Sequence, residues 1–298
     1  VIYTAAQLKG LSDLSNNGIN FSGKKIYLGA DIDLNGKPWT PIGNRVATSD
    51  GTWFSGSIDG RNHTIKGLYI NCAETGYARN RALISLYNGP SIKNLTIEGA
   101  YVRDTVTPGQ ISYSSILASC VMGTSEISNI TVRNTELICG TYGGLLISRT
   151  YGGPVTISNI TIENSKVTSR HCGAILGYVQ DLGNGLSISD VILKNVEVEP
   201  YMGSYLIGSG TNWGTGTVSN ITATGAKFNC PRDARILTDT INAGVTVSGL
   251  NIKTDSLNGF ETLVVVPDGN AAGSVSGKIV VGAQEYQIPD NYTGGRID

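Results

Sequence analysis

A nine-residue phrase recurs along this chain, and the spacing of its copies restricts the fold more than any other feature. The clearest copy is Glu126-Ile127-Ser128-Asn129-Ile130-Thr131-Val132-Arg133-Asn134. Close copies run over 91–99, 156–164, 187–195 and 217–225, and looser ones over 64–72 and 246–254. With the fourth residue as anchor (Gly67, Asn94, Asn129, Asn159, Asp190, Asn220, Gly249), the steps are 27, 35, 30, 31, 30 and 29 residues. Repeats of about 20–50 residues build solenoids, propellers or arrays.

The columns of the repeat choose among these. Both neighbours of the central residue are apolar in the close copies: Leu95/Ile97, Ile130/Val132, Ile160/Ile162, Val191/Leu193, Ile221/Ala223. Such alternation marks a strand with one buried face. The next outward column reads Glu98, Arg133, Glu163, Lys194, Thr224, Lys253, with signs alternating over its first four members. Strands stacked about 4.8 Å apart would set each acid beside a base. After it come Gly99, Asn134, Asn164, Asn195 and Gly225, residues that accept the positive φ of a recurring tight corner. Equivalent strands of propeller blades lie far apart and would leave these columns unexplained, whereas a parallel β-helix accounts for all three. A second apolar run precedes each following copy: Ala82-Leu83-Ile84, Ile116-Leu117-Ala118, Leu145-Leu146-Ile147, Ala174-Ile175-Leu176, Tyr205-Leu206-Ile207 and, less fully, Ile236-Leu237. Two or three short strands per coil, joined by corners, use up about 30 residues, and the 39 glycines read as corner punctuation.

A solenoid lengthens without a second core, so 298 residues need not mean two domains. Net charge is −1, charged residues are 15%, and no basic face appears, which argues against a nucleic-acid partner. No apolar run approaches the length of a transmembrane segment. The chain opens at Val1 with neither Met nor a signal-like apolar stretch, and we expect a processed or trimmed start. Five cysteines (Cys72, Cys120, Cys139, Cys172, Cys230) stand at no metal spacing and in no Cys-x-x-Cys pair; they are expected to be free, mostly buried thiols.

At the N-terminus Thr4 and Gln7 fit a capping box, and Leu8, Leu11 and Leu14 suggest the apolar stripe of a helix that ends at Asn17-Gly18. A solenoid must cover the end of its core, so this helix is expected to be the cap. Strands are expected over Lys25–Leu28 and Asp31–Leu34, followed by a polar loop from Gly43 to Gly51 and a lead-in from Phe54 to Gly60. Residues 24–36, Trp39-Thr40-Pro41-Ile42-Gly43 and Phe54–Ile65 together resemble the opening of bacterial secreted surface proteins with GLUG-type repeats. The likeness covers residues 1–257 in organisation and is specific over 24–65. Gly143-Gly144-Leu145-Leu146-Ile147 and Cys172-Gly173-Ala174-Ile175-Leu176-Gly177 are the best-preserved pieces of the repeat core, which is degraded elsewhere. The resemblance implies an adhesin-like right-handed β-helix at an extracellular or bacterial cell-surface address, and it supplies no catalytic residues. Beyond Leu257 the pattern stops, and Val281-Gly282-Ala283-Gln284-Glu285 suggests a hairpin.

Catalysis on such a scaffold would need two carboxylates about 5–10 Å apart or a carboxylate-held metal. Asp31 and Asp33 share one strand face about 7 Å apart, but lie in the family-like opening beside the cap, where bonding to turns is the simpler account. Asp50 and Asp59 sit in turn contexts, Asp181 and Asp239 have no carboxylate partner at solenoid spacing, and His63 and His171 have no recurring Ser or Cys beside them. The outward threonines Thr96, Thr131, Thr161 and Thr222 form one interrupted column, which β-propensity explains more simply than an ice-binding face.

Aromatic residues are more suggestive. Tyr113, Tyr142 and His171 fall in register, and Tyr87, Arg149 and Tyr178 lie just past the second apolar runs, with Tyr151, Tyr201 and Trp213 in adjoining loops. Fourteen tyrosines against four phenylalanines suit a wet, ligand-facing surface, since each ring has a stacking face and a polar tip. The plain alternative is a ladder of rings that serves stability alone.

The expected fold is therefore all-β: a right-handed parallel β-helix over 1–257 that includes a helical cap over 1–20, with 258–298 as a C-terminal β cap or the start of a second module. The expected function is a non-catalytic, adhesin-like protein that contacts polysaccharide, or a host surface glycan or protein, through Tyr113, Tyr142, His171, Arg149, Tyr151, Tyr178, Tyr201 and Trp213. We assign no catalytic residue, cofactor or metal, and expect a monomer. Two alternatives stand beside this: a polysaccharide lyase or glycoside hydrolase with acids from the 43–55 and 201–216 loops, and a passive spacer.

Overall fold

The computed structural model describes residues 1–43, 51–72, 79–104, 111–180, 185–210, 215–238, 244–260 and 274–288. Over these the chain is a right-handed parallel β-helix of about 7 turns with one N-terminal helix. The repeated phrase supplies its main sheet, 15 strands among the described residues. Each copy lies parallel on the one before: Ser57–Lys66, Ser91–Glu98, Ser125–Arg133, Val155–Ser169, Leu186–Pro200, Thr215–Arg235 and Gly244–Phe260. The apolar columns read from the sequence point inward, and Ile97, Val132, Ile162 and Leu193 are fully buried. The outward charges stack in the expected order, Glu98 beside Arg133, Arg133 beside Glu163, and Glu163 beside Lys194. Arg133 Nη2 donates to Glu98 Oε2 at 2.9 Å, although the two residues are 35 apart in sequence.

Corners come from two columns of left-handed residues rather than one. Asn134, Asn164 and Asn195 have φ of 54°, 47° and 53°, as the sequence suggests. The anchor asparagines Asn94, Asn129, Asn159 and Asn220 have φ near 55° as well. Their side chains bond along the axis: Asn94 Nδ2 donates to Asp59, Asn129 to Asn94, Asn159 to Asn129, and Asn220 to Asp190, at 2.9–3.1 Å. Asparagine fits here twice over, since it tolerates this backbone and its amide both donates and accepts.

The first copy needs a correction. Thr64 pairs with Thr96, and Gly67 belongs to the second corner column with Gly99, so the phrase at 64–72 is out of register with the others. The cause is a bulge: Asp59 and His63 face Lys93 and Leu95, which puts extra residues where later coils hold one asparagine. The strands expected over 25–34 already belong to a rung of the helix, which the described residues up to Phe54 continue. Lys25–Tyr27 and Ile32–Asp33 pair with Ser57–Lys66, and Pro38, Ile42 and Phe54 bridge to Tyr69, Ile84 and Tyr87.

The second apolar runs make a tight arch. One short sheet contains Arg79–Arg81, Ser112–Ser115, Tyr142–Gly144 and His171–Gly173; the other contains Ile84–Tyr87, Ala118–Met122, Ile147–Tyr151 and Leu176–Gln180. Between them the chain turns at Leu117, Leu146 and Ile175, all fully buried. The two sheets approach so closely because small residues face one another. A methyl added at Gly177 would stand 2.9 Å from the Gly143 carbonyl carbon, and Ser148 Oγ donates to the Tyr142 carbonyl at 2.7 Å.

Helix Ala5–Asn16 closes the N-terminal end of the core. Thr4 accepts from the Gln7 N–H at 3.2 Å, and Gln7 Oε1 accepts from the Tyr3 N–H at 2.6 Å. Leu8 and Leu11 are buried, but Leu14 is 47% exposed. The buried face follows the 3.6-residue period to Ser12 and Ser15 instead, and Ser12 donates to the Thr40 carbonyl at 2.7 Å. At the other end Ser274–Val281 stacks parallel on Gly244–Phe260, burying Val275 and Ile279, and Gln284–Gln287 returns antiparallel across Gly282-Ala283 as the hairpin expected there. Cys120, Cys139, Cys172 and Cys230 are buried thiols outside any disulfide.

Candidate functional site

The mouth of the arch gathers most of the aromatic residues singled out in the sequence. Tyr113, Tyr142 and His171 are direct ladder partners on the first short sheet. Strand spacing sets their rings face to face, with centroids 5.3 Å and 5.2 Å apart and planes within 10° and 21°. On the second short sheet Cys120, Arg149 and Tyr178 form the facing column. Because the arch is narrow, the columns touch: the Tyr178 ring lies 4.5 Å from that of Tyr142 and 6.3 Å from that of Tyr113. The Arg149 guanidinium sits 4.9 Å over the Tyr113 ring and 4.9 Å over the Tyr151 ring.

Exposure grades outward through this cluster. Tyr113 is 8% exposed and Tyr151 37%, while Tyr142, Arg149, His171 and Tyr178 are half-buried. Burial pushes the Tyr113 hydroxyl up to about 12, with the nearby Arg149 charge pulling the other way. The stacked rings spend their faces on one another, so what remains for a ligand is the rim: ring edges, Tyr151 and the end of Arg149.

One expected residue stands apart from the cluster. Tyr201, 52% exposed, pairs with Arg232, whose Nη1 donates to its hydroxyl at 3.4 Å. Trp213 lies outside the described residues, as do Asp50, Asp181, Asp239 and most of the 43–55 loop. Tyr87 also departs from the expected alignment with Arg149. Leu86 holds that column, and Tyr87, one residue further on, points into the core, where it is fully buried beside Phe54 with centroids 6.1 Å apart. A shift of one residue on a strand exchanges inside for outside.

The acids weighed for catalysis have visible structural partners. Asp31 accepts from the Thr64 N–H at 2.8 Å and lies 3.3 Å from His63 Nδ1; the backbone bond, chiefly, holds its carboxyl below the usual range. Asp33 accepts from the Asn35 N–H at 2.7 Å. Burial works to raise the Asp59 carboxyl, but bonds from the Asn94 amide and the Arg61 N–H, with the nearby Lys93 and Arg61 charges, bring it below its usual value.

A second charge column escaped the sequence reading because it lies outside the nine-residue phrase. Glu136, Lys166, Glu197 and Lys227 stack along the next strand stretch and line a groove of about 650 Å³. Lys166 Nζ lies 2.8 Å from Glu199 and 3.1 Å from Glu197, so the charges in this groove already answer one another. The threonine column borders a shallower groove of about 320 Å³ and is broken, as in the sequence, by Ile192. Among the described residues no group of three or more His, Cys, Asp or Glu is placed to hold a metal ion, and no helix is long and apolar enough to cross a membrane.

No protein-family model matches the chain, and no curated protein matches it. A solved structure described as that of "a putative immunoglobulin A1 protease from Bacteroides ovatus" aligns over 99% of this chain and 81% of its own, with a TM-score of 0.47 and 17% sequence identity.

Proposed function

We propose that the chain is a non-catalytic, adhesin-like β-helical module, extracellular or displayed on a cell surface, that contacts a glycan at the mouth of the arch. The observation that supports this is the convergence of five rings (Tyr113, Tyr142, Tyr151, His171, Tyr178) and one guanidinium, drawn from three successive coils, on a single rim. A ladder kept for stability alone would need only the stacked column. Tyr151 and Arg149 extend it outward to where a sugar can reach, and a tyrosine ring carries both an apolar face and a polar tip for such a partner. The surface address rests on the resemblance of residues 24–65 to the opening of GLUG-type surface proteins.

Binding of the native chain, Tyr151→Ala and Tyr142→Ala on a glycan array tests the proposal. Tyr151 is at the rim, so its truncation should weaken binding about fivefold to tenfold and leave thermal stability unchanged; a tenfold loss corresponds to about 1.4 kcal/mol. Tyr142 touches three other rings, so its truncation should lower both binding and stability. Unaltered binding by the Tyr151 variant would remove the arch mouth as the contact surface.

A further inference from the structure

Arg149 differs from the basic residues of the chain that carry ion pairs. Arg133, Lys166, Lys9 and Lys278 each lie within 3.2 Å of a carboxylate oxygen. The outward columns of the main sheet make this easy, since acids and bases alternate from coil to coil. Arg149 stands in a column without that pattern: its ladder neighbours are Cys120 on one side and Tyr178 on the other. Among the described residues its contacts are the two rings that clasp it, Tyr113 and Tyr151, each 4.9 Å from the guanidinium carbon. Ring faces attract a cation but accept few of its hydrogen bonds. Nε is buried without an acceptor, the side chain as a whole is half-buried, and no carboxylate among the described residues pairs with it.

The side chain is thus positioned without being neutralised. Two rings flank the guanidinium, each 4.9 Å from its central carbon, and the guanidinium itself is a rigid planar fork of N–H donors. Such a fork fits a planar carboxylate through two parallel hydrogen bonds, which a spherical ammonium cannot reproduce. We infer that Arg149 makes the arch mouth selective for an acidic glycan, pairing its guanidinium with a carboxylate borne on a sugar ring (a uronic or sialic acid unit) while that ring packs against Tyr151. The inference rests on the glycan-binding reading above and narrows it to a ligand class. Charge complementarity is what selects the occupant: the ligand provides the carboxylate that neighbouring coils provide elsewhere.

The test is calorimetric binding of the whole chain to oligogalacturonate, to the same oligomer with its carboxyl groups reduced to alcohols, to oligosialic acid, and to a sulfated dextran. At least one carboxylated chain should bind about tenfold or more tightly than the reduced and sulfated ones, and binding should weaken as salt is raised. Arg149→Gln should abolish the preference but leave weak binding of the reduced chain, and Arg149→Lys should restore only part of it. The melting temperature of each variant shows whether the fold is retained. Equal affinity for carboxylated and reduced chains, or a preference that survives Arg149→Gln, overturns the assignment and leaves the glycan-binding reading standing. Sulfated dextran binding as tightly as the carboxylated chains also overturns it, in favour of a general anion site. Failure of every oligosaccharide to bind overturns both.

Discussion

Gly144→Ala removes no contact and adds one methyl group, so it measures how tightly the arch is drawn. The new Cβ would overlap the Ile147 carbonyl oxygen, stand 2.6 Å from the Gly177 nitrogen and lie 2.9 Å from the Leu176 carbonyl carbon. All three neighbours are backbone atoms, so no side chain can rotate away. Relief requires the turn to draw back from the next coil, and the bonds that hold it there are those from the Leu146 and Ile147 N–H groups to the Ile175 carbonyl, at 3.3 Å and 3.2 Å. Overpacking costs about 1–3 kcal/mol, and each ladder bond lost adds about 1 kcal/mol. Against this, alanine stiffens the unfolded chain and returns about 0.4–1 kcal/mol. The net loss is about 3 kcal/mol, a fall of about 6 °C in melting temperature for a chain of this size. Gly99→Ala is the control, because nothing lies within 4 Å of its Cβ and the difficulty is a φ of +63° alone. That strain costs about 1–2 kcal/mol. Calorimetric melting should therefore rank Gly144→Ala below Gly99→Ala, and hydrogen exchange should quicken over 142–151 in the first variant only. A Gly144 variant that melts at or above the Gly99 variant would show that the two short sheets are not pressed together as described, and the Tyr142–Tyr178 contact would lose its cause.

The asparagine ladder can be separated from its backbone requirement at Asn129. Replacement by glycine keeps the left-handed corner but loses the bonds to Asn94 and from Asn159, at 2.9 Å and 3.0 Å; we expect about 1–2 kcal/mol in denaturant unfolding. Alanine should cost about 1–2 kcal/mol more, and equal losses for the two variants would refute a backbone role. In alkali the buried tyrosines should govern stability. Burial raises the Tyr113 hydroxyl from the usual 10.0 to about 12, and it raises Tyr87 and Tyr205 further still. Folded rings hold their protons while unfolded ones release them, so this contribution is intact below pH 10 and declines as pH climbs from there through the folded values. Absorbance at tyrosinate wavelengths should show these hydroxyls ionising only as the chain unfolds; their ionisation at pH 10 in a folded chain would contradict the burial.

What the sequence reveals of such a fold depends on direction. Along the axis each rung repeats the last, so the column order Glu98, Arg133, Glu163, Lys194 can be read in the sequence and becomes a contact in the structure. Errors entered where one coil broke the period, as at the bulge between Asp59 and His63, or where one residue of misalignment turned Tyr87 inward. Across the axis no repeat helps. The path within a single coil is set by which residues are small enough to let two backbones touch. Gly143, Gly144 and Gly177 carry that information here; in the sequence they stand out as pieces of the repeat core, but nothing there shows that they let two backbones touch. The contact between Tyr142 and Tyr178 depends on them, since with larger residues in those places the same tyrosines would lie on two separated sheets. The ring columns are thus a product of repeat spacing and the mouth they line is a product of close approach. Stability of the ladder and shape of the site should accordingly come apart under substitution: Tyr151→Ala changes the rim and spares the stack, whereas Gly144→Ala leaves every ring in the sequence and opens the mouth.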